Sequence, residues 1–201
     1  MDLINFNAIP IAYERSVYFL DKKELAVIQK TKYKPPYKGL YLSKTISLLN
    51  DKALTSFKKF IIKKAKEYMR NVLEIKEEIY LTQSWSTLNT TNAFHEPHIH
   101  PNTFISLVYY AQCKEGSLRF HLDTSSIRKC FNFCYTINKF NIYNSQVWEL
   151  PVQTGDIVLF LGHIRHSSAP NKTQQDRIAV GANFFIKGTL GSKKLVSLIT
   201  I

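Results

Sequence analysis

The chain has 201 residues, 45% hydrophobic and 21% charged, with only seven Gly and seven Pro; these values exclude a disordered, collagenous or linker-like polymer and allow one domain with a sizeable core. The formal charge of +12 comes from 27 basic against 15 acidic residues. Only six of the basic residues are Arg, and no helix-turn-helix, RNA-recognition or finger pattern accompanies them. The basicity therefore reads as a Lys-rich solvated surface that mildly favours an anionic substrate and disfavours nucleic acid as a partner. The longest apolar runs, residues 104–111 and 157–161, fall short of the roughly 18 residues a membrane span needs. The N-terminal stretch has no basic region ahead of its apolar residues, so no signal peptide is expected. Cys113, Cys130 and Cys134 form no metal-site spacing and read as reduced thiols, which fits a cytoplasmic setting.

In chain order, residues 22–30 suggest a short helix. Asp51 to about Leu73 suggests a longer amphipathic one, started by Asn50 or Asp51, with Leu54, Phe57, Phe60, Ile61, Ala65, Met69 and Val72 forming its apolar stripe. Its lysines fall mostly outside that stripe, on a solvated face. From Tyr80 the period becomes two. Residues 82–87, 103–112, 117–122, 156–161 and 177–186 are rich in β-branched and aromatic residues and are separated by turn residues such as Glu115-Gly116, Gly155-Asp156 and Pro170-Asn171. Residues 125–150 show no clear period and read as an insertion with one or two strands. The expected architecture is a single, mainly β domain over 1–201: a helical part, 1–79, packed outside a double-stranded β-helix (jelly roll), 80–201. Trp85 and Trp148 are expected in the core.

Six histidines punctuate this pattern, and five lie in two clusters, His95-Glu-Pro-His98-Ile-His100 and His163-Ile-Arg-His166. At strand-like spacing His98 and His100 share a face and can share a metal ion. A third His from a neighbouring strand would complete a triad with open positions. His166 is the candidate and His163 its competitor. His95, His121 and His163 are otherwise read as structural. Arg177 opens the last long strand and shares a face with Ala179, Gly181 and Asn183; a guanidinium pointing into a barrel beside a metal calls for a carboxylate ligand. The plainer alternative is a surface ion pair with Asp176 or Glu149.

Four blocks, in this order, resemble one family. They are Leu81-Thr-Gln-Ser-Trp85, His98-Ile-His100-Pro-Asn-Thr-Phe-Ile-Ser106-Leu-Val-Tyr-Tyr110, Gly155-Asp156-Ile-Val-Leu-Phe160 through His166, and Arg177-Ile-Ala-Val-Gly-Ala-Asn183-Phe-Phe. The chain is similar to the iron(II)- and 2-oxoglutarate-dependent oxygenases, most of all to small ones found in tailed phages and marine bacteria. That resemblance implies an oxidoreductase in the cytoplasm of a bacterium or phage-infected cell. It would couple 2-oxoglutarate decarboxylation to oxidation, most simply hydroxylation, of an unknown substrate by O2. It implies Fe(II) bound by His98 and His166, 2-oxoglutarate paired through its distal carboxylate with Arg177, and cosubstrate contacts from Ser106, Tyr110 and Asn183.

The sequence also departs from the family. His100 stands where the wider superfamily has Asp or Glu, which would weaken the preference for Fe2+ over softer ions such as Ni2+ or Cu2+. Glu96 and Asp123 are the remaining carboxylates that could serve as second ligand. Leu107 replaces a Gly and is expected to narrow the pocket, while Ala179 replaces a Ser that often supports the cosubstrate. A shell of imidazoles alone should lose metal as pH falls below roughly 6.5. Two further readings stay open: a non-catalytic jelly-roll structural or adaptor module, and a three-His dioxygenase indifferent to 2-oxoglutarate.

Overall fold

The computed structural model describes residues 8–37, 39–122, 136–142 and 144–201. Its elements run β1 (Ala12–Glu14), α1 (Lys22–Lys30), β2 (Tyr33–Tyr37), β3 (Leu40–Ser43), α2 (Thr55–Glu67), β4 (Glu78–Asn89), β5 (Ile105–Gln112) and β6 (Gly116–His121). They continue with β7 (Val147–Val152), β8 (Ile157–Leu161), β9 (His166–Ser168), β10 (Arg177–Lys187), β11 (Thr189–Leu190) and β12 (Ile199–Thr200). A seven-stranded sheet has the order β1-β8-β5-β10-β4-β3-β2, and a three-stranded sheet, β7-β6-β9, faces it. All their strand pairings are antiparallel. The result is the expected mainly β jelly roll, with both helices on the outer side of the larger sheet.

Side-chain alternation divides the core in two. Ile105, Leu107, Tyr109 and Ala111 of β5 join Ile178, Val180, Ala182 and Phe184 of β10 on the helix-facing side, against Ile28, Phe57, Ile61, Ala65 and Met69. The opposite side carries Ser106, Val108 and Tyr110, in register with Asn183, Gly181 and Ala179. It looks toward Leu118 and Phe120 of the smaller sheet. The outer core is dry and aromatic: the fully buried Phe57 ring lies 4.7 Å from Tyr109 and 5.3 Å from Tyr18.

Helix α1 forms as expected and is held by a capping box. Asp21 accepts from the Lys23 and Glu24 amides, and Glu24 accepts in return from the Asp21 amide. The longer helix keeps its predicted limits and its Asp51 cap but is not α-helical throughout. Asp51 caps a 3-10 turn over Lys52–Leu54, the α-helix starts only at Thr55, and a π-helical turn follows over Tyr68–Val72. That widened turn buries Tyr68 and Met69 together and leaves Val72 exposed, so the three- and four-residue stripe ends at Met69. Lys64, placed on the solvated face, instead pairs with Glu14 of β1 at 2.7 Å and Glu67 at 3.0 Å.

The first 79 residues also supply β1 to β3, which the helical reading of this part missed. β2 contains Pro35 and Pro36 and lies at the sheet edge, where a missing donor costs no ladder bond. Trp148, expected in the core, is exposed because β7 is an edge strand. Of the predicted insertion, residues 125–135 and 143 lie outside the described residues, as do Cys130, Cys134 and Asp123; β7 begins at Val147 within it. Phe57→Ala should lower the unfolding free energy by about 3–5 kcal/mol, read by urea denaturation. A loss below about 1 kcal/mol would show that the helix layer closes over the cavity.

Candidate metal centre

The three histidines singled out by spacing converge. One nitrogen from each of His98, His100 and His166 lies within 4.8 Å of the others, and this is the one such three-residue cluster among the described residues. Backbone pairing sets the positions. His98 and His166 exchange amide bonds at 2.9 Å in both directions, and the His100 amide donates to the Gly162 carbonyl at 2.9 Å. Gly162 is required there: a Cβ would meet the Thr103 carbonyl oxygen at 2.4 Å. β8 carries the chain to this turn, and His166 opens β9 immediately after it.

The ring hydrogen bonds fix the tautomers. His98 Nδ1 lies 2.7 Å from the Glu96 carbonyl and His166 Nδ1 lies 2.8 Å from the Ile164 carbonyl. A carbonyl only accepts, so Nδ1 carries the proton and Nε2 keeps its lone pair toward the cluster. His100 Nε2 and His166 Nε2 are 3.2 Å apart, close to the roughly 3 Å expected between adjacent nitrogens that each sit about 2.1 Å from one ion. Burial is the largest cause holding these rings neutral. It pushes His166 down to about 2 and His100 to about 4, with the neighbouring imidazoles adding to the effect, and it also lowers His98. Neutral imidazole is the form that donates to a metal, and burial moves its protonation below the roughly 6.5 of a free side chain.

The other described candidates are placed differently. His163 is exposed, and His121 points outward to Ser167, with its Nε2 2.8 Å from the hydroxyl. Glu96 is exposed and contributes its carbonyl, not its carboxylate. His95 stacks on His98 at 4.0 Å, buried enough to push its pKa down to about 3. Trp85, expected as plain core, is half-buried beside the cluster, 5.4 Å from His100, and crosses Gly181 so closely that a Cβ there would lie 2.5 Å from the indole. Phe160 closes the inner side, 4.6 Å from His166.

Arg177 lies further along the same inner surface. It is 97% buried, and Nη2 donates to the Ala169 carbonyl at 2.7 Å and to Ser168 Oγ at 3.0 Å, while Nη1 has no partner. The surface ion pair weighed above does not form: Glu149 pairs with Arg119 at 2.6 Å. Desolvation is the largest influence on the Arg177 pKa and lowers it. Tyr110, Cys113 and Gly116 surround the guanidinium, and burial raises the Tyr110 and Cys113 pKa values.

The predicted cosubstrate residues do not converge on one point. Ser106 and Asn183 are buried partners of each other, the Ser hydroxyl donating to Asn183 Oδ1 at 2.9 Å. Asn183 is six residues beyond Arg177 on β10, roughly 20 Å along a strand. Leu107 does not narrow the pocket. It is an odd neighbour of two inward residues and so faces the helices. The sequence reading missed Asn89, the register partner of Arg177, whose buried side-chain amide nitrogen also lacks a partner. Extending the two-residue period of β4 from Gln83 through Trp85 and Thr87 reaches it.

Gly181→Ala should force Trp85 off its strand, shift the tryptophan emission and cost about 1–3 kcal/mol in urea unfolding. Unchanged emission would show that the indole does not rest on that glycine.

Residues 83–183, just over half of the chain, match the family model described as "Putative 2OG-Fe(II) oxygenase". Comparison with curated proteins finds no match. Among solved structures the chain is similar to a Pseudomonas putida prolyl-4-hydroxylase, at 13% identity and TM-score 0.58 over 90% of this chain and 94% of that one. It is similar to SnoN, a non-heme alpha-ketoglutarate-dependent epimerase from nogalamycin biosynthesis, at 14% and 0.61 over 88% and 78%. It is also similar to HygX from Streptomyces hygroscopicus, solved with nickel and 2-oxoglutarate bound, at 8% and 0.56 over 88% and 82%. At such identities these likenesses establish the shared fold. With the family match spanning the histidine cluster and Arg177, the chain belongs to the 2OG-Fe(II) oxygenase family.

Proposed function

We propose that this protein is an Fe(II)- and 2-oxoglutarate-dependent hydroxylase in which His98, His100 and His166 hold the iron through Nε2 and Arg177 receives the distal carboxylate of 2-oxoglutarate. The observation that carries the reading is the buried Nη1 of Arg177, a cationic donor without a partner on the same inner surface as three neutral imidazoles. A guanidinium taken out of water is costly unless an anion meets it, and a carboxylate offers the matching acceptor. Donor chemistry suits the metal as well: three nitrogen ligands leave positions open for other molecules.

The residues of the chain have distinct tasks. The carbonyls of Glu96 and Ile164 orient two ligand rings through their Nδ1–H groups. Trp85 and Phe160 flank the cluster with apolar rings, and Phe120 packs behind Phe160. Ser168 and the Ala169 carbonyl aim the guanidinium. Tyr110 packs beside Arg177, whereas Ser106 and Asn183 lie too far along the strands to touch the same carboxylate and would serve the opposite end of the pocket. Once bound, iron would supply O2 activation, with O2 the oxidant and 2-oxoglutarate giving two of the electrons as it leaves as succinate and CO2.

Anaerobic addition of Fe(II) and then 2-oxoglutarate to metal-free protein should produce a weak visible charge-transfer band that needs both and is lost in Arg177→Ala. Metal binding with no band would favour a three-His dioxygenase indifferent to 2-oxoglutarate. Absence of metal binding would leave a jelly-roll module without catalysis. The same titration with Ni(II) tests the imidazole-only shell, which should bind nickel more tightly than Fe(II).

A further inference from the structure

Among the described residues, two side chains hold a buried polar atom with no hydrogen-bond partner: Arg177, through Nη1, and Asn89, through Nδ2. They are not scattered. Asn89 of β4 and Arg177 of β10 are directly paired in the antiparallel register, so both side chains leave the sheet on the same, inner face. Each is only 3% exposed. A buried unpaired donor is a liability in an ordinary core, and native proteins leave few of them. Two on directly paired residues, one cationic and one neutral, face the same interior, and a carboxylate has an oxygen to offer each.

No neighbouring side chain or carbonyl hydrogen-bonds these two nitrogens. Ala169 and Ser168 are engaged by the other guanidinium nitrogen, and the Asn89 carbonyl accepts from the Asn171 side chain, leaving the Asn89 amide group free of that contact. Two positions along β10 from Arg177, Ala179 offers no hydroxyl. Asn89, on the facing strand, presents a donor in its place.

We infer that Asn89 donates its side-chain N–H to the same distal carboxylate that Arg177 pairs with, and so helps select a 2-oxo acid ending in a carboxylate. This rests on the functional reading above. The pair binds the carboxylate as an ion and involves no bond making or breaking. Because the main-chain contact to Asn171 does not involve the Asn89 side chain, its truncation removes an unpaired donor and leaves the fold intact.

The test is calorimetric titration, under anaerobic conditions, of Fe(II)-loaded protein with 2-oxoglutarate and, in parallel, with oxalate, a chelator that has no distal arm. Asn89→Ala should weaken 2-oxoglutarate by about 10- to 100-fold, the loss of one hydrogen bond to a charged group, and leave oxalate unchanged. Its ligand-free thermal midpoint should stay level or rise. A lowered midpoint with unchanged 2-oxoglutarate affinity would make Asn89 structural and overturn the inference.

Asn89→Asp separates direct contact from action through Arg177. Direct contact predicts a swap of preference toward 2-oxoglutaramate, whose distal amide can donate to the new carboxylate. An equal loss for both ligands would reduce Asn89 to a residue that positions Arg177, and would overturn direct contact. If Arg177→Gln also leaves 2-oxoglutarate binding unaltered, the functional reading itself falls; if only the Asn89 variants are silent, that reading survives.

Discussion

Residue parity along β10 is the constraint on which the rest of the molecule depends. Its even-numbered residues, Ile178, Val180, Ala182 and Phe184, are apolar and bind the helical layer, while its odd-numbered ones, Arg177, Ala179, Gly181 and Asn183, line the interior between the sheets. A one-residue slip would place a guanidinium under α2 and a phenylalanine among the imidazoles. Pairing with β4 and β5 over eleven and seven positions holds that register. The burial of Phe57, Ile61 and Tyr109 on one face thereby fixes where Arg177 points on the other.

The interior so formed stores electrostatic cost instead of removing it. Four imidazoles crowd together, three of them offering nitrogens to one point, and burial keeps them neutral. At the other end a guanidinium and an amide stand without full partners. A core selected for stability alone would fill these positions with leucine or valine. Lone pairs held free of protons at one end and unsatisfied donors at the other are complementary to a metal ion and to a carboxylate respectively.

Much of this was legible in the sequence because the chemistry is carried by residue types that seldom cluster by accident. Two histidine groups bracketing strand patterns named His98, His100 and His166, and the strand period put Arg177 inward. The failures have physical causes. Leu107 was matched to a motif position without regard to parity, which sends it to the helices. Trp85 and Trp148 were assigned by hydrophobicity, although one lies against a polar cluster and the other on an edge strand. Strands β1 to β3 are too short, and β2 too proline-rich, for a period to show.

The sequence by itself determined the mainly β core, the two histidine clusters and the inward arginine, since each follows from local spacing and side-chain chemistry. Only the tertiary structure decided that His166 rather than His163 joins the cluster, because the turn at Gly162 and the pairing of His98 with His166 choose between two imidazoles three residues apart. It alone paired Asn89 with Arg177, residues 88 positions apart in the chain, because register between strands is set by packing across the whole sheet and leaves no mark on either segment.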